Sequence, residues 1–218
     1  MGARRMGVRL SFALSLGGLA AVLLCGCASP APMPLTATTA RLDLGSKSIG
    51  LFTLRTSNQF KPRFQPSVTW VEIGCPSTEK AQRFRVGSPE SQKKGAFYEY
   101  LVSVDMAPGH YRLGDVCGLN FVPLLLRASF QFPVNAVFEL PPNSILYLGH
   151  VSMTNRERKE GERRSGSLVP VLDQAIAGYS TGTFDVTISD RSGTDVPLFM
   201  ERFPILQDQD LTIQLMTK

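Results

Sequence analysis

Short apolar runs, broken at close intervals by Gly, Pro, Asn and Asp, fill the chain from about residue 41 onward. In several of them apolar and polar positions alternate, which puts every second side chain on one face of an extended strand. Ile49 to Arg55, Val68 to Ile73, Gln82 to Val86 and Phe97 to Val104 predict strands on this ground. Met106-Ala-Pro-Gly-His110 predicts a turn, and Tyr111 to Val116 resumes the extended pattern. Ser129 to Phe132 alternates, Ala136 to Leu140 follows Pro133, and Pro141-Pro142-Asn143 turns the chain into Ile145 to Thr154. In Thr183 to Ser189, Phe184, Val186 and Ile188 share a face, and Leu211 to Leu215 is a last strand.

One segment has helical spacing. Asp195 is placed to cap a helix over Val196 to Phe203, with Pro197 in the first turn, where a missing N–H does no harm. Val196, Phe199, Met200 and Phe203 form its apolar face, and Pro204 stops it. Leu168 to Gly178 fits either a strand or a short helix. Roughly nine or ten short strands without interleaved helices predict an all-β fold, an antiparallel β-sandwich with one short C-terminal helix. Ala107-Pro-Gly-His-Tyr111 and Leu140-Pro-Pro-Asn-Ser-Ile-Leu-Tyr147 resemble hairpins of transthyretin-like and immunoglobulin-like bacterial envelope domains. The resemblance implies a fold and brings no active site with it.

The first residues follow a different pattern. A basic start with Arg4, Arg5 and Arg9 precedes the uncharged stretch Leu10 to Leu24. That stretch of about 15 residues matches a signal-peptide hydrophobic region and is short of the roughly 20 that span a bilayer. It closes on Leu24-Cys25-Gly26-Cys27, which resembles the bacterial lipobox. The resemblance implies cleavage after Gly26 and acylation of the Cys27 thiol, with palmitate-type chains holding the mature protein in a membrane. Ala28 and Ser29 follow where an Asp would imply inner-membrane retention, so the resemblance implies the periplasmic leaflet of the outer membrane. Residues 1–26 are then a signal peptide, residues 27–40 the lipidated Cys and a flexible Pro/Ala/Thr linker, and residues 41–218 the sandwich.

Charge adds little. The 218 residues have a net charge of +5, which falls to +2 without the three leader arginines, so no concentrated basic footprint points to nucleic acid. Arg156 to Arg164 is a mixed charge run, read as the solvated tip of a hairpin that returns near Leu168.

Candidate chemistry is sparse. Gly178-Tyr179-Ser180-Thr181-Gly182 fits the serine-hydrolase elbow, yet a strand follows it, and both histidines, His110 and His150, precede Ser180. No metal-ligand spacing surrounds either histidine, and no cofactor motif is present. Cys75 and Cys117 both lie beside turn residues in a chain expected in an oxidising compartment, and a disulfide between them is the expectation. The reading is a non-enzymatic envelope module, anchored through Cys27 and contacting another envelope protein. A periplasmic hydrolase using Ser180, and a carrier of lipid or a small apolar ligand, are the alternatives.

Overall fold

The computed structural model describes residues 29–76, 80–89, 91–93, 96–122, 126–168 and 174–218. Cys27 and the leader lie outside them. Ten strands form two sheets among these residues: β1 (Ser48–Asn58), β2 (Ser67–Cys75), β3 (Lys80–Arg85), β4 (Ser91–Lys93), β5 (Phe97–Met106), β6 (Gly109–Val122), β7 (Leu126–Leu140), β8 (Ile145–Glu157), β9 (Gly182–Ser189) and β10 (Leu211–Ile213). The smaller sheet runs β3-β2-β6-β7; the larger runs β10-β8-β1-β5-β4, with β9 also paired to β8. The fold is an all-β sandwich, with one short helix, α1 (Ser192–Arg202), near the C-terminus.

Most strand pairs are antiparallel, but β1 and β10 each run parallel to β8. Parallel neighbours need a crossover, and β1 reaches β8 only after the whole smaller sheet has been built. This placement makes β1 central and buried on both faces. Phe52 and Leu54 face the smaller sheet, packing with Phe84, Tyr100, Leu113 and Phe130. Ile49 and Leu51 face the opposite way, toward Tyr147, Phe199, Phe203 and Leu206. A strand covered on two sides reads as a continuous apolar run rather than a clean alternation, as Ile-Gly-Leu-Phe-Thr-Leu does.

Three sequence expectations need correction. The segment read as a flexible linker is packed against the domain at Ala31 and Leu35. Ala31 pairs in parallel with Phe84 at the outer edge of β3, donating to the Arg83 carbonyl and accepting from the Arg85 N–H. Leu35 is then buried at 1% exposure against β5, where its N–H meets the Ser103 hydroxyl. The prolines that made this stretch resemble a spacer hold it extended, and extended chain is what an open sheet edge can accept.

Second, α1 begins at Ser192, and Asp195 lies inside its first turn rather than capping it. The Asp190 carboxylate accepts from the Ser192 N–H instead. Asp195, Phe199 and Phe203 recur every fourth residue and form the buried face, and the helix stops before Pro204 as expected. Third, the charge run does not return near Leu168. It folds back locally, with the Arg156 guanidinium bidentate to Glu162 at 2.7 and 2.8 Å and bonded to Asp185 at 2.8 Å. The strand that follows β8 is β9, reached through a single 3-10 turn (Gln174–Ala177) in the described part of Leu168 to Gly178.

Candidate functional site

Two places concentrate features that chemistry or binding could use: a buried polar cluster under α1, and the lateral opening between β7 and β9.

The cluster lies on the outer face of the larger sheet. Thr53 and Arg55 of β1, Glu99 of β5 and His150 of β8 meet Asp195 of α1 and Arg191, which precedes the helix. His150 reaches this face because of a bulge. Leu51 pairs with Tyr147 but Thr53 pairs with His150, so β8 inserts one extra residue at Gly149, whose φ of +113° suits glycine. Without that insertion Tyr147 and His150 would point to opposite faces.

The hydrogen bonds fix the protonation pattern. The Asp195 carboxylate accepts from the Tyr147 hydroxyl at 2.7 Å and from the Thr53 hydroxyl. Having given its own proton to Asp195, Thr53 accepts from His150 Nδ1 at 2.7 Å, which assigns the imidazole proton to Nδ1. Arg191 Nη1 lies 3.2 Å from Nδ1 and 3.3 Å from Nε2, so the guanidinium faces the ring rather than one nitrogen of it. That same guanidinium donates to Glu99 at 2.7 Å and lies 3.2 Å from Asp195. Arg55 donates to Glu99 at 2.9 Å. Burial, and then the Arg191 charge, push the His150 pKa down to about 4, so the ring is neutral near pH 7. Two arginines then balance two carboxylates.

The arrangement contains a hydroxyl, an imidazole and a carboxylate, but their roles run against nucleophilic catalysis. A general base must accept the hydroxyl proton, whereas the Thr53 hydroxyl is directed to Asp195 and not to His150. Thr53 and Asp195 have no exposed surface, and His150 is 4% exposed. These bonds tie buried Asp195 of α1 to β1 and β8, and partly exposed Arg191 links it to Glu99 of β5.

The two lateral edges near β7 and β9 differ. On β7 the outward N–H groups are met in turn: Ser129 by the Gln174 side chain, Gln131 by the Ser165 carbonyl, and Val137 by Thr217. Pro133 has none to offer, and a bulge at Asn135 (φ +56°) bends the strand there. On β9 the Gly182 carbonyl accepts from Ser165 and the Val186 carbonyl from the Lys218 ammonium, which shows that the even-numbered residues face away from β8. Phe184, Val186 and Ile188 therefore direct backbone N–H groups outward, and among the described residues no second strand pairs with β9. Between the two edges lies an open groove of about 770 Å³, lined by Phe132 to Asn135, Phe184 to Thr187 and Lys218.

The other sequence candidates fall elsewhere. Ser180 is buried at 4% exposure in the turn before β9, and its carbonyl accepts from Arg164. Neighbouring Tyr179 packs on Phe130. His150 pairs with Ser189 at the other end of β9, and exposed His110 pairs with Glu139 near the far end of β7, so neither histidine meets Ser180. Among the described residues no group of His, Cys, Asp and Glu is placed to hold a metal.

The expected disulfide is not formed. Cys117 pairs with Trp70 across β2–β6, and Cys75 lies five residues further along β2, about 16 Å away at the strand rise. A bridge needs α-carbons within about 7 Å. The flanking Gly and Pro made both look like turn residues, but both lie in paired strands. Burial pushes the Cys117 thiol well above its ordinary range, so it stays protonated.

Sequence reasoning missed the cluster itself. Its signals were a Thr inside an apolar run, an Asp on the apolar face of a helix and a Gly within a strand. Set against protein-family models, curated proteins and solved structures, the chain matches none.

Proposed function

We propose that this chain is a lipid-anchored module of the bacterial cell envelope, held in the periplasmic leaflet of the outer membrane through Cys27, that binds another envelope protein without catalysing a reaction. The anchor rests on the leader ending Leu24-Cys25-Gly26-Cys27. The burial of Thr53, His150, Asp195 and Ser180 supports a non-catalytic reading, because a substrate has no contact with those atoms.

The observation that supports binding best is the contrast between the two edges. β7 is capped donor by donor, whereas on β9 the outward N–H groups of Phe184, Val186 and Ile188 face a groove with no paired strand among the described residues, the Gly182 and Val186 carbonyls being taken by Ser165 and Lys218. An extended polypeptide segment supplies the donors and acceptors such an edge matches, as in strand addition. Partly buried Val186, beside Thr187 and Lys218, is the apolar side chain that such a segment would meet, above the buried Phe132 and Phe184.

The test is a photo-crosslinking amino acid at exposed Thr187, expressed in intact envelopes, with and without Val186→Pro. The Val186 N–H faces away from β8, so proline removes an outward donor and leaves the β8–β9 ladder. The expected result is a discrete protein adduct that the proline variant abolishes. An adduct unaffected by the proline, or none at all, overturns the edge as the binding site.

A further inference from the structure

We infer that the β3 edge of the smaller sheet is the surface that lies against the bilayer, with Lys80, Arg83 and Arg85 meeting anionic lipid headgroups and Trp70 beside them at the interface. The inference rests on the anchor proposed above and adds an orientation to it.

Ala31 is locked to Phe84 on the outer edge of β3, and Ser29 lines a groove with Ala81, Gln82, Arg83 and Glu72. Only two peptide units separate Cys27 from Ser29, so their α-carbons are at most about 7 Å apart. A lipid attached at Cys27 therefore enters the membrane next to β3. A long flexible spacer would have left the domain free to tumble; residues bound into the sheet edge do not.

Composition agrees with that position. The six residues of β3, Lys-Ala-Gln-Arg-Phe-Arg, include three cations and no acid, and all but Phe84 are exposed. Glu72 of β2 faces Arg83 at 3.2 Å and offsets part of one charge. The Arg83 guanidinium stacks 4.5 Å from the centre of the Trp70 ring. A Trp beside basic side chains suits the headgroup region, where an amphipathic ring and phosphate-binding cations both find partners. Polybasic contact together with lipid chains is also how stable anchoring is built from separately weaker terms.

The orientation has a consequence for the rest of the molecule. β3 and β7 are opposite edges of the four-stranded sheet. With β3 at the lipid, the groove between β7 and β9 opens on the side away from the membrane, toward a periplasmic partner.

Trp70 is the single tryptophan of the chain and reports its own environment. The experiment uses full-length protein purified from membranes, with acylation verified by intact mass. It is reconstituted in vesicles of phosphatidylethanolamine and phosphatidylglycerol in which some lipids bear a spin label near the headgroup. Expected are quenching of Trp70 emission relative to unlabelled vesicles, and loss of that quenching in Lys80→Glu/Arg85→Glu protein of unchanged circular dichroism. An acylated protein whose Trp70 is not quenched overturns the orientation while the anchor stands. Quenching that survives the charge reversal overturns the role of the cations. A mass without acyl chains removes the anchor itself, a distinct outcome.

Discussion

The Thr53 hydroxyl and His150 Nδ1 are 2.7 Å apart, with the imidazole as donor because Thr53 has committed its own proton to Asp195. The neutral imidazole is thus part of the folded state, and its protonation opposes folding. His150 titrates at about 4 when folded, against about 6.5 in an unfolded chain. Between those values the unfolded chain binds more protons, so stability falls as pH drops through that window. We predict that His150→Gln flattens the acid side of the stability profile, removing a pH-dependent term that approaches about 3 kcal/mol below pH 4. Urea unfolding of both proteins at several pH values checks this; parallel profiles contradict it.

Asp195, itself fully buried, accepts from Tyr147 and Thr53 and faces Arg191, whose side chain is 27% exposed. Replacing it by Ala leaves two hydroxyls without their acceptor and takes one of two carboxylates from Arg191, which keeps Glu99. The expected cost is about 3–5 kcal/mol, mostly from two buried hydroxyls that each lose a charged acceptor. Chemical denaturation of Asp195→Ala measures it. A loss below about 1 kcal/mol, the range of an exposed pair, would show that the cluster does not hold α1.

Gly149 brings Tyr147 and His150 to one face through a backbone angle that side chains avoid. Its nearest neighbours would sit 3.4 Å from an added Cβ, so space is adequate and conformation sets the cost. Gly149→Ala is expected to destabilise by about 1–3 kcal/mol. A thermal melt compared with Gly193→Ala, whose Cβ meets nothing, isolates the backbone term.

Much of this architecture is legible in the sequence because period-two alternation survives wherever one face of a strand is covered. The runs at Val68, Phe97, Tyr111, Ile145 and Thr183 all fall within β2, β5, β6, β8 and β9. Ser129 to Phe132 and Ala136 to Leu140 are one strand, β7, because the bulge at Asn135 absorbs the interruption that Pro133 suggests. Pairing is less legible than strand position. Nothing local says that β1 joins β8 in parallel, since the paired residues are as much as 97 positions apart. The buried cluster was hidden for the same reason: Thr53, Glu99, His150 and Asp195 come from four elements, and a single extra residue at Gly149 reverses the facing that alternation gives. The packed segment at Ala31 and Leu35 was missed because its composition is that of a linker, while its conformation is that of an added strand.

The cysteines give a further check. Mature protein unfolded without reductant should show two reactive thiols, Cys75 and Cys117, and Cys117 should react in the folded state only as fast as the protein opens. Cys75→Ser should leave stability within about 0.5 kcal/mol, as expected for a substitution away from special features. A disulfide closing this loop would instead make the change cost about 3–4 kcal/mol. Thiol titration in denaturant distinguishes the two.

Whether one acylated thiol holds this sandwich at a membrane is read from the mass of the mature amino terminus. Expected are a chain beginning at Cys27 with diacylglyceryl and N-acyl groups, incorporation of labelled palmitate, and loss of both in Cys27→Ser. An unmodified mature terminus, or membrane fractionation unchanged by Cys27→Ser, would contradict the anchor.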